Sequence, residues 1–205
     1  MSNTSFKILK NNPEGEYKEK GSKFLAYAGY CENEKAVKSF LEIVRSKHPK
    51  SRHCCYAYII GNSQVIQFVN DDGEPSGTAG KPILNQILSA GITYTCVAVI
   101  RYFGGTKLGA SGLIRAYKTA AENALSKAEI INKDLLQVFS LRFEYEASGA
   151  VNAIINRLKL VIIKQTFEID CLLEIGVKQD QIQQLNQELQ LIKGIKVNSQ
   201  GLKAV

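Results

Sequence analysis

The stretch TYTCVAVIRYFGGTKLGASGLIRAYK, residues 93–118, decides the fold of the larger part of the chain. It begins inside a strongly β-type run, residues 92–101, whose β-branched and apolar residues predict a central strand. It ends in a pattern with Leu113, Ala116, Tyr117, Ala120, Ala124 and Leu125 at helical spacing, which predicts a helix over 112–128. Between the two lie Gly104, Gly105, Gly109 and Gly112, surrounded by Arg101, Lys107, Arg115 and Lys118. A strand that passes through a glycine-rich turn into a helix offers free backbone N–H groups and the positive end of a helix dipole, which together suit an anion. The same glycines would serve tight turns and close helix–sheet packing equally well. The residues alone leave both readings open.

Upstream of this stretch, Pro82 predicts a helix to residue 90, since proline fits a first helical turn. Before it, residues 70–80 (NDDGEPSGTAG) form a loop by composition. Residues 54–60 and 64–69 read as strands of a hairpin turned at Gly61, Asn62 and Ser63. Asn33 is placed to cap a helix to residue 47, with Ala36, Val37, Phe40, Leu41 and Val44 at helical spacing and Pro49 closing it. Residues 16–20 and 23–30 read as a hairpin turned at Gly21 and Ser22, behind a polar leader. Downstream, the texture changes around residues 131–134, which divides the chain into domains 1–133 and 134–205. The second contains strand 136–145, helix 147–158, strands 161–170 and 172–177, helix 180–191 and strand 195–200. That βαββαβ order is the ferredoxin-like plan, and the fold class of the whole chain is α+β.

The 205 residues carry a formal charge of +7, unevenly spread. Residues 1–133 hold 18 Lys and Arg against 11 Asp and Glu, whereas residues 134–205 hold 8 of each. From Pro75 to Ala121 there is no acidic residue at all. The excess therefore belongs to the first domain and argues for an anionic partner there. Five cysteines (31, 54, 55, 96 and 171) with no C-x-x-C pair disfavour a disulfide framework and a structural zinc site. No apolar run reaches 18 residues, and the N-terminus has no apolar core of a signal peptide. The expectation is a cytoplasmic protein without a membrane partner.

Three sets of residues could carry chemistry. The phosphate-binding set is Lys81, Arg101, Lys107, Arg115 and Lys118 with the loop residues Gly104, Gly105, Thr106, Gly109, Ser111 and Gly112. It is neither a dinucleotide fingerprint, since G-x-G-x-x-G is absent, nor a P-loop, since Gly80-Lys81 is followed by Pro82. The metal set is Asp71, Asp72 and Glu74, which would suit a hydrated magnesium ion; plain turn chemistry of Asp, Gly and Pro accounts for the same residues. The catalytic set is His53, Ser76 and Asp72, with His53 beside Cys54 and Cys55 at the end of a basic run (Arg45, Lys47, His48, Lys50, Arg52). A nucleophile–histidine pair needs a geometry that sequence does not supply.

Five segments then occur in order: GSKF (21–24), HCCYA (53–57), DDGEPSGTAGKP (71–82), VIRYFGGTKLG (99–109) and GLIRAY (112–117). Together they resemble the IMPACT family, and the two-domain layout is similar to its bacterial YigZ branch. The resemblance implies a left-handed βαβ first domain, like domain IV of elongation factor G and the GHMP kinases, and a ferredoxin-like second domain, like domain V of that factor. It implies a role at the ribosome or on RNA, with no established catalytic set. Eukaryotic members are translation regulators that bind a protein partner through a further region, and that mechanism is not carried over. The leading expectation is a non-enzymatic RNA- or ribosome-binding protein in translation regulation, needing no cofactor. The alternatives are a magnesium- and nucleotide-dependent enzyme or hydrolase using the 71–80 and 101–112 loops, and a protein-interaction regulator acting through the second domain.

Overall fold

The computed structural model describes residues 5–62, 64–167 and 170–204, and the chain divides into two compact units. The first, Phe6–Asn132, is built on an antiparallel sheet of β2 (Glu14–Glu19), β3 (Ser22–Tyr30), β6 (Thr95–Tyr102), β4 (His53–Ile60) and β5 (Ile66–Asn70), in that spatial order. Strand β6 lies at its centre, registered against β3 with Phe24 opposite Arg101 and against β4 with His53 opposite Arg101. Period-2 alternation splits its side chains between two cores. Val97 and Val99 join Phe24, Ala26, Cys55 and Ala57 under helices α2 (Gly80–Ala90) and α3 (Gly109–Leu125). Cys96, Ala98 and Ile100 join Cys54 and Tyr58 under α1 (Glu34–Lys47). A strand covered on both faces needs apolar residues at every position, which is why β6 reads as a continuous run.

Helix α1 starts where expected, with the Asn33 side chain accepting from the Ala36 amide at 2.9 Å. It buries Val37, Leu41 and Val44. The β2–β3 hairpin turns on Lys20 and Gly21, both left-handed (φ 44° and 77°), the two-residue turn whose twist matches the flanking strands. Helix α3 begins three residues earlier than its apolar spacing predicts and ends at Leu125. After it, the Lys127 and Ala128 amides bond to residues 124 and 125, tightening the chain out of the helix. Its alanine-rich face admits a close neighbour. A Cβ on Gly15 of β2 would fall 2.3 Å from the Ala124 nitrogen.

The polar leader is in part a strand. β1 (Ser5–Leu9) buries Phe6, Ile8 and Leu9. Its Lys7 carbonyl accepts from the Thr93 amide at 2.9 Å, and the Lys10 amide donates to the Glu129 carbonyl at 2.8 Å. Those partners lie far away in sequence, so no local pattern announces the strand. Of the expected 61–63 turn, Ser63 lies outside the described residues, and β5 starts at Ile66 rather than 64.

The second unit begins at Lys133. Its elements are β7 (Ile130–Phe143), α4 (Ser148–Leu158), β8 (Val161–Phe167), β9 (Cys171–Val177), α5 (Ile182–Leu189) and β10 (Lys196–Ala204). Strands β10, β7, β9 and β8 lie side by side in that order, these three pairings all antiparallel, and β1 also pairs with β7. Phe139, Leu141 and Phe143 of β7 pack with Val151 and Ile155 of α4 and with Leu185 and Leu189 of α5. β7 starts six residues earlier and β10 runs four residues further than expected. α5 starts two residues later than expected because residues 179–181 form a 3₁₀ turn, and it ends at Leu189. The expected end of strand 161–170 includes residues 168 and 169, outside the described residues. The architecture is a mixed α+β one, with five α-helices among the described residues. No helix among them is long and apolar enough to cross a membrane.

Candidate functional site

Both loops flagged in the sequence leave the same end of the first sheet, where β5 and β6 finish and β4 and β3 begin, and each leads into a helix. The first loop opens with a turn at residues 71–74, in which the Glu74 amide donates to the Asp71 carbonyl at 2.9 Å across left-handed Asp72 and Gly73. Asp and Gly are the residues that accept this conformation readily. The turn sends its three carboxylates in three directions.

Asp71 caps helix α2. Its Oδ1 accepts from the amides of Ala79 (3.0 Å) and Gly80 (2.8 Å), and its Oδ2 from Gly77 (2.9 Å). Burial acts to raise the carboxyl, but the donations from Gly77, Gly80 and Ala79 outweigh it and hold the group below its ordinary range. Asp72 Oδ2 accepts from the Cys54 amide at 2.7 Å and pairs with Arg45 Nη2 at 3.1 Å. Glu74 turns inward, its side chain 4% exposed, and both its oxygens meet Arg101 Nη1, at 2.7 and 2.9 Å. The Tyr117 hydroxyl also donates to Glu74 Oε1 at 2.8 Å. The metal expectation is corrected accordingly: Asp71, Asp72 and Glu74 do not converge. No group of three or more metal-ligating side chains occurs among the described residues.

The catalytic expectation meets a similar geometry. His53 Nδ1 lies 2.8 Å from the Asp72 carbonyl, which can only accept, so Nδ1 carries the proton. Ser76 is exposed and makes no hydrogen bond to His53. Burial pushes the Cys54 thiol up to about 11 and the Cys55 thiol further still, so both are protonated at neutral pH. Cys55 sits 3.0 Å from the Asp71 carbonyl, to which it donates, and 3.2 Å from the Tyr117 hydroxyl. Burial also raises the Tyr117 hydroxyl far above its ordinary value, with Cys55 and Glu74 adding to the effect. Cys55, Tyr117, Glu74 and Arg101 thus form one buried polar chain tying the first loop to β6 and α3. Residue spacing gave no sign of it.

The phosphate-binding set divides. Arg101 is 8% exposed and gives its Nη1 to Glu74, so it is no free surface cation of the kind expected. Arg115 is exposed but paired with Glu19, an interaction that raises its pKa. Gly104 packs rather than cradles. A Cβ there would lie 1.9 Å from the Gly21 carbonyl carbon, and its amide already donates to Ser22 Oγ at 3.1 Å. Gly112 is buried. Gly105, Thr106, Lys107, Gly109 and Ser111 are exposed, and α3 begins without a side-chain cap, which leaves its first amides open to solvent or ligand.

Two cavities flank the loops. One, about 350 Å³, is lined by Gly77, Lys81, Pro82, Asn85, Ile114 and Lys118 among others, between α2 and α3. The second, about 400 Å³, is lined by Lys50, Arg52, His53, Arg101, Tyr102 and Phe103. Lys50, Arg52, Lys81, Lys107 and Lys118 are all exposed, and none has a carboxylate within 4 Å among the described residues. Lys50 and Arg52, part of a basic run for which phosphate contact is the alternative to complementing the helix dipole, enter the site because β4 starts beside the end of β6. His48, from the same run, is held between the Tyr27 and Tyr102 hydroxyls at 2.6 and 3.0 Å.

The family model for the Impact N-terminal domain matches residues 20–125. The IMPACT family member YigZ of Escherichia coli (strain K12) is 33% identical over 173 residues, which is 83% of this chain and 84% of that protein. The IMPACT family member YvyE of Bacillus subtilis (strain 168) is 35% identical over 147 residues, 72% of this chain and 68% of that one. A crystal structure described as a hypothetical protein is similar over 95% of this chain and 96% of its own, with a TM-score of 0.67 at 29% identity.

Proposed function

The chain belongs to the IMPACT family, and from that premise we propose that it is an RNA-binding protein of translation regulation, gripping the phosphate backbone at the loop-bearing end of its first sheet. The observation that carries this reading is the charge left over after internal pairing. Asp71, Asp72 and Glu74 are consumed by amides, Arg45 and Arg101, whereas Lys50, Arg52, Lys81, Lys107 and Lys118 keep their charge for a partner. A polyanion gains from such a field, because each phosphate neutralised releases condensed counterions. The open first turn of α3 adds N–H groups aimed at the same end. The cations are spread over two helices, two loops and a strand start, an arrangement that suits a backbone more than a single small anion.

The βαββαβ order and β10-β7-β9-β8 arrangement support a ferredoxin-like second unit. The kinship of the two units to domains IV and V of elongation factor G, and hence a ribosomal setting, is part of the proposal. So are division into functional domains at residue 133 and a cytoplasmic location. Support for the translation role comes from what membership of the IMPACT family implies.

The test is RNA affinity against salt. Binding should weaken with salt, with a log–log slope of about −0.7 per phosphate contact for single strands or −0.9 for duplex. Lys81→Ala/Lys118→Ala should lower the affinity and reduce the slope by about two contacts. Salt-insensitive binding, or a double variant indistinguishable from the parent, would overturn the reading.

A further inference from the structure

The cavity at Lys50, Arg52, His53, Arg101, Tyr102 and Phe103 contains three features that backbone recognition does not use. The first is Phe103. At 58% exposed, it is a large ring left in water at the mouth of a basic cavity. The sequence offers Tyr102, Phe103 and Tyr117 as nearby aromatics, but the structure keeps only one of them free. Tyr117 is fully buried, and the Tyr102 hydroxyl is engaged with His48. The second is the way Arg101 uses its guanidinium. Glu74 takes both its contacts from Nη1, and the buried Nε has no hydrogen-bond partner. The Nε/Nη2 edge, which can present two parallel N–H groups to an oxyanion, is therefore unspent. The third is their proximity: the guanidinium carbon of Arg101 lies 5.5 Å from the Phe103 ring centroid. An exposed ring that rests on an incompletely satisfied arginine lies within reach of both a base and a phosphate.

We infer that this cavity is a nucleotide subsite for single-stranded RNA, in which one base stacks on Phe103 while its phosphate is held by Lys50, Arg52 and the free edge of Arg101. Its volume of about 400 Å³ is within the range of small-ligand sites. Stacking on an exposed aromatic beside a cationic groove is how single strands are held without sequence preference, because every base has a π face. A duplex has no unstacked base to offer. The subsite therefore makes the protein prefer single strands over duplexes of equal charge. This inference rests on the RNA-binding reading above and adds to it the form of the RNA.

The experiment uses the full chain and two labelled RNAs, a uridine single strand of about eight nucleotides and a duplex of matched phosphate count. The parent should favour the single strand. Phe103→Leu, an exposed substitution that keeps an apolar side chain, should weaken single-strand binding by at least about fivefold and leave duplex binding unchanged. Because the chain has no tryptophan, Phe103→Trp places a single tryptophan, excitable apart from the tyrosines, at the subsite. Its emission should be quenched by the single-stranded RNA and not by inorganic polyphosphate, which supplies charge without bases. If RNA binds but Phe103→Leu has no effect, or if polyphosphate quenches as well as RNA, the subsite is refuted and backbone binding stands. If neither RNA binds, both readings fail.

Discussion

Replacing Glu74 by glutamine tests the buried chain that fastens the first loop to the sheet. Glu74 is 4% exposed and Arg101 8%, and the carboxylate also accepts from Tyr117. Glu74→Gln keeps the shape and one acceptor but removes the charge, leaving the Arg101 guanidinium buried without its counter-ion. Breaking a buried, hydrogen-bonded pair from one side costs about 3–5 kcal/mol, mostly the desolvation of the partner left behind. For the first unit this corresponds to a fall in melting temperature of roughly 10 °C or more. Tyrosine fluorescence is the suitable probe, because eight of the nine tyrosines lie within Phe6–Asn132 and Tyr145 alone lies beyond it. It follows that unit's transition even where the two units unfold separately. The companion variant Glu74→Gln/Arg101→Met removes both charges and fills the space with an apolar chain. Its loss should fall short of the sum of the two single losses by at least about 2 kcal/mol. A Glu74→Gln cost below about 1 kcal/mol, or strict additivity in the cycle, would show that the pair does not anchor the loop.

Three further outcomes are expected. Asp71→Asn should destabilise the first unit by about 1 kcal/mol at neutral pH, the ordinary worth of a helix cap, measured by urea unfolding. The folded carboxyl lies below its ordinary value of 3.8, so its contribution is full above that pH and is lost as the pH falls through the lower folded value; the gap between parent and variant should close there. Gly104→Ala should cost about 1–3 kcal/mol, because a methyl group 2.1 Å from the Ser22 nitrogen must displace the β2–β3 turn; parental stability would show that the close approach is not required. Cys54 and Cys55 should resist alkylation in the folded protein at neutral pH and react on unfolding, followed by mass spectrometry, since burial keeps both thiols protonated and covered.

Much of the fold was legible because its signals are local. β6 and α3 announce themselves by continuous and 3.6-residue apolar patterns, α1 by Asn33 and its apolar stripe, and the β2–β3 hairpin by its glycine. β1 was not legible, since its partners at Thr93 and Glu129 come from distant segments. The two loops flagged in the sequence leave one end of the sheet, but the pairing of their side chains was not legible. Arg101 and Lys107 look alike in a basic stretch, yet one is buried against Glu74 and the other is exposed.

By itself, the sequence determined that the chain is basic in its first part and balanced in its second, that a glycine-rich turn joins a buried strand to a helix, and that five segments carry a family resemblance. All of these are properties of composition or of short-range order. Only the tertiary structure decided which charges are free. Pairing depends on Asp72 meeting Arg45, Glu74 meeting Arg101 and Glu19 meeting Arg115, contacts 27 and 96 residues apart. The net charge of a segment does not reveal which of its ions are neutralised across the fold. That is settled when strands and loops distant in the chain are brought to one end of a sheet, where desolvation forces each buried charge to find a partner.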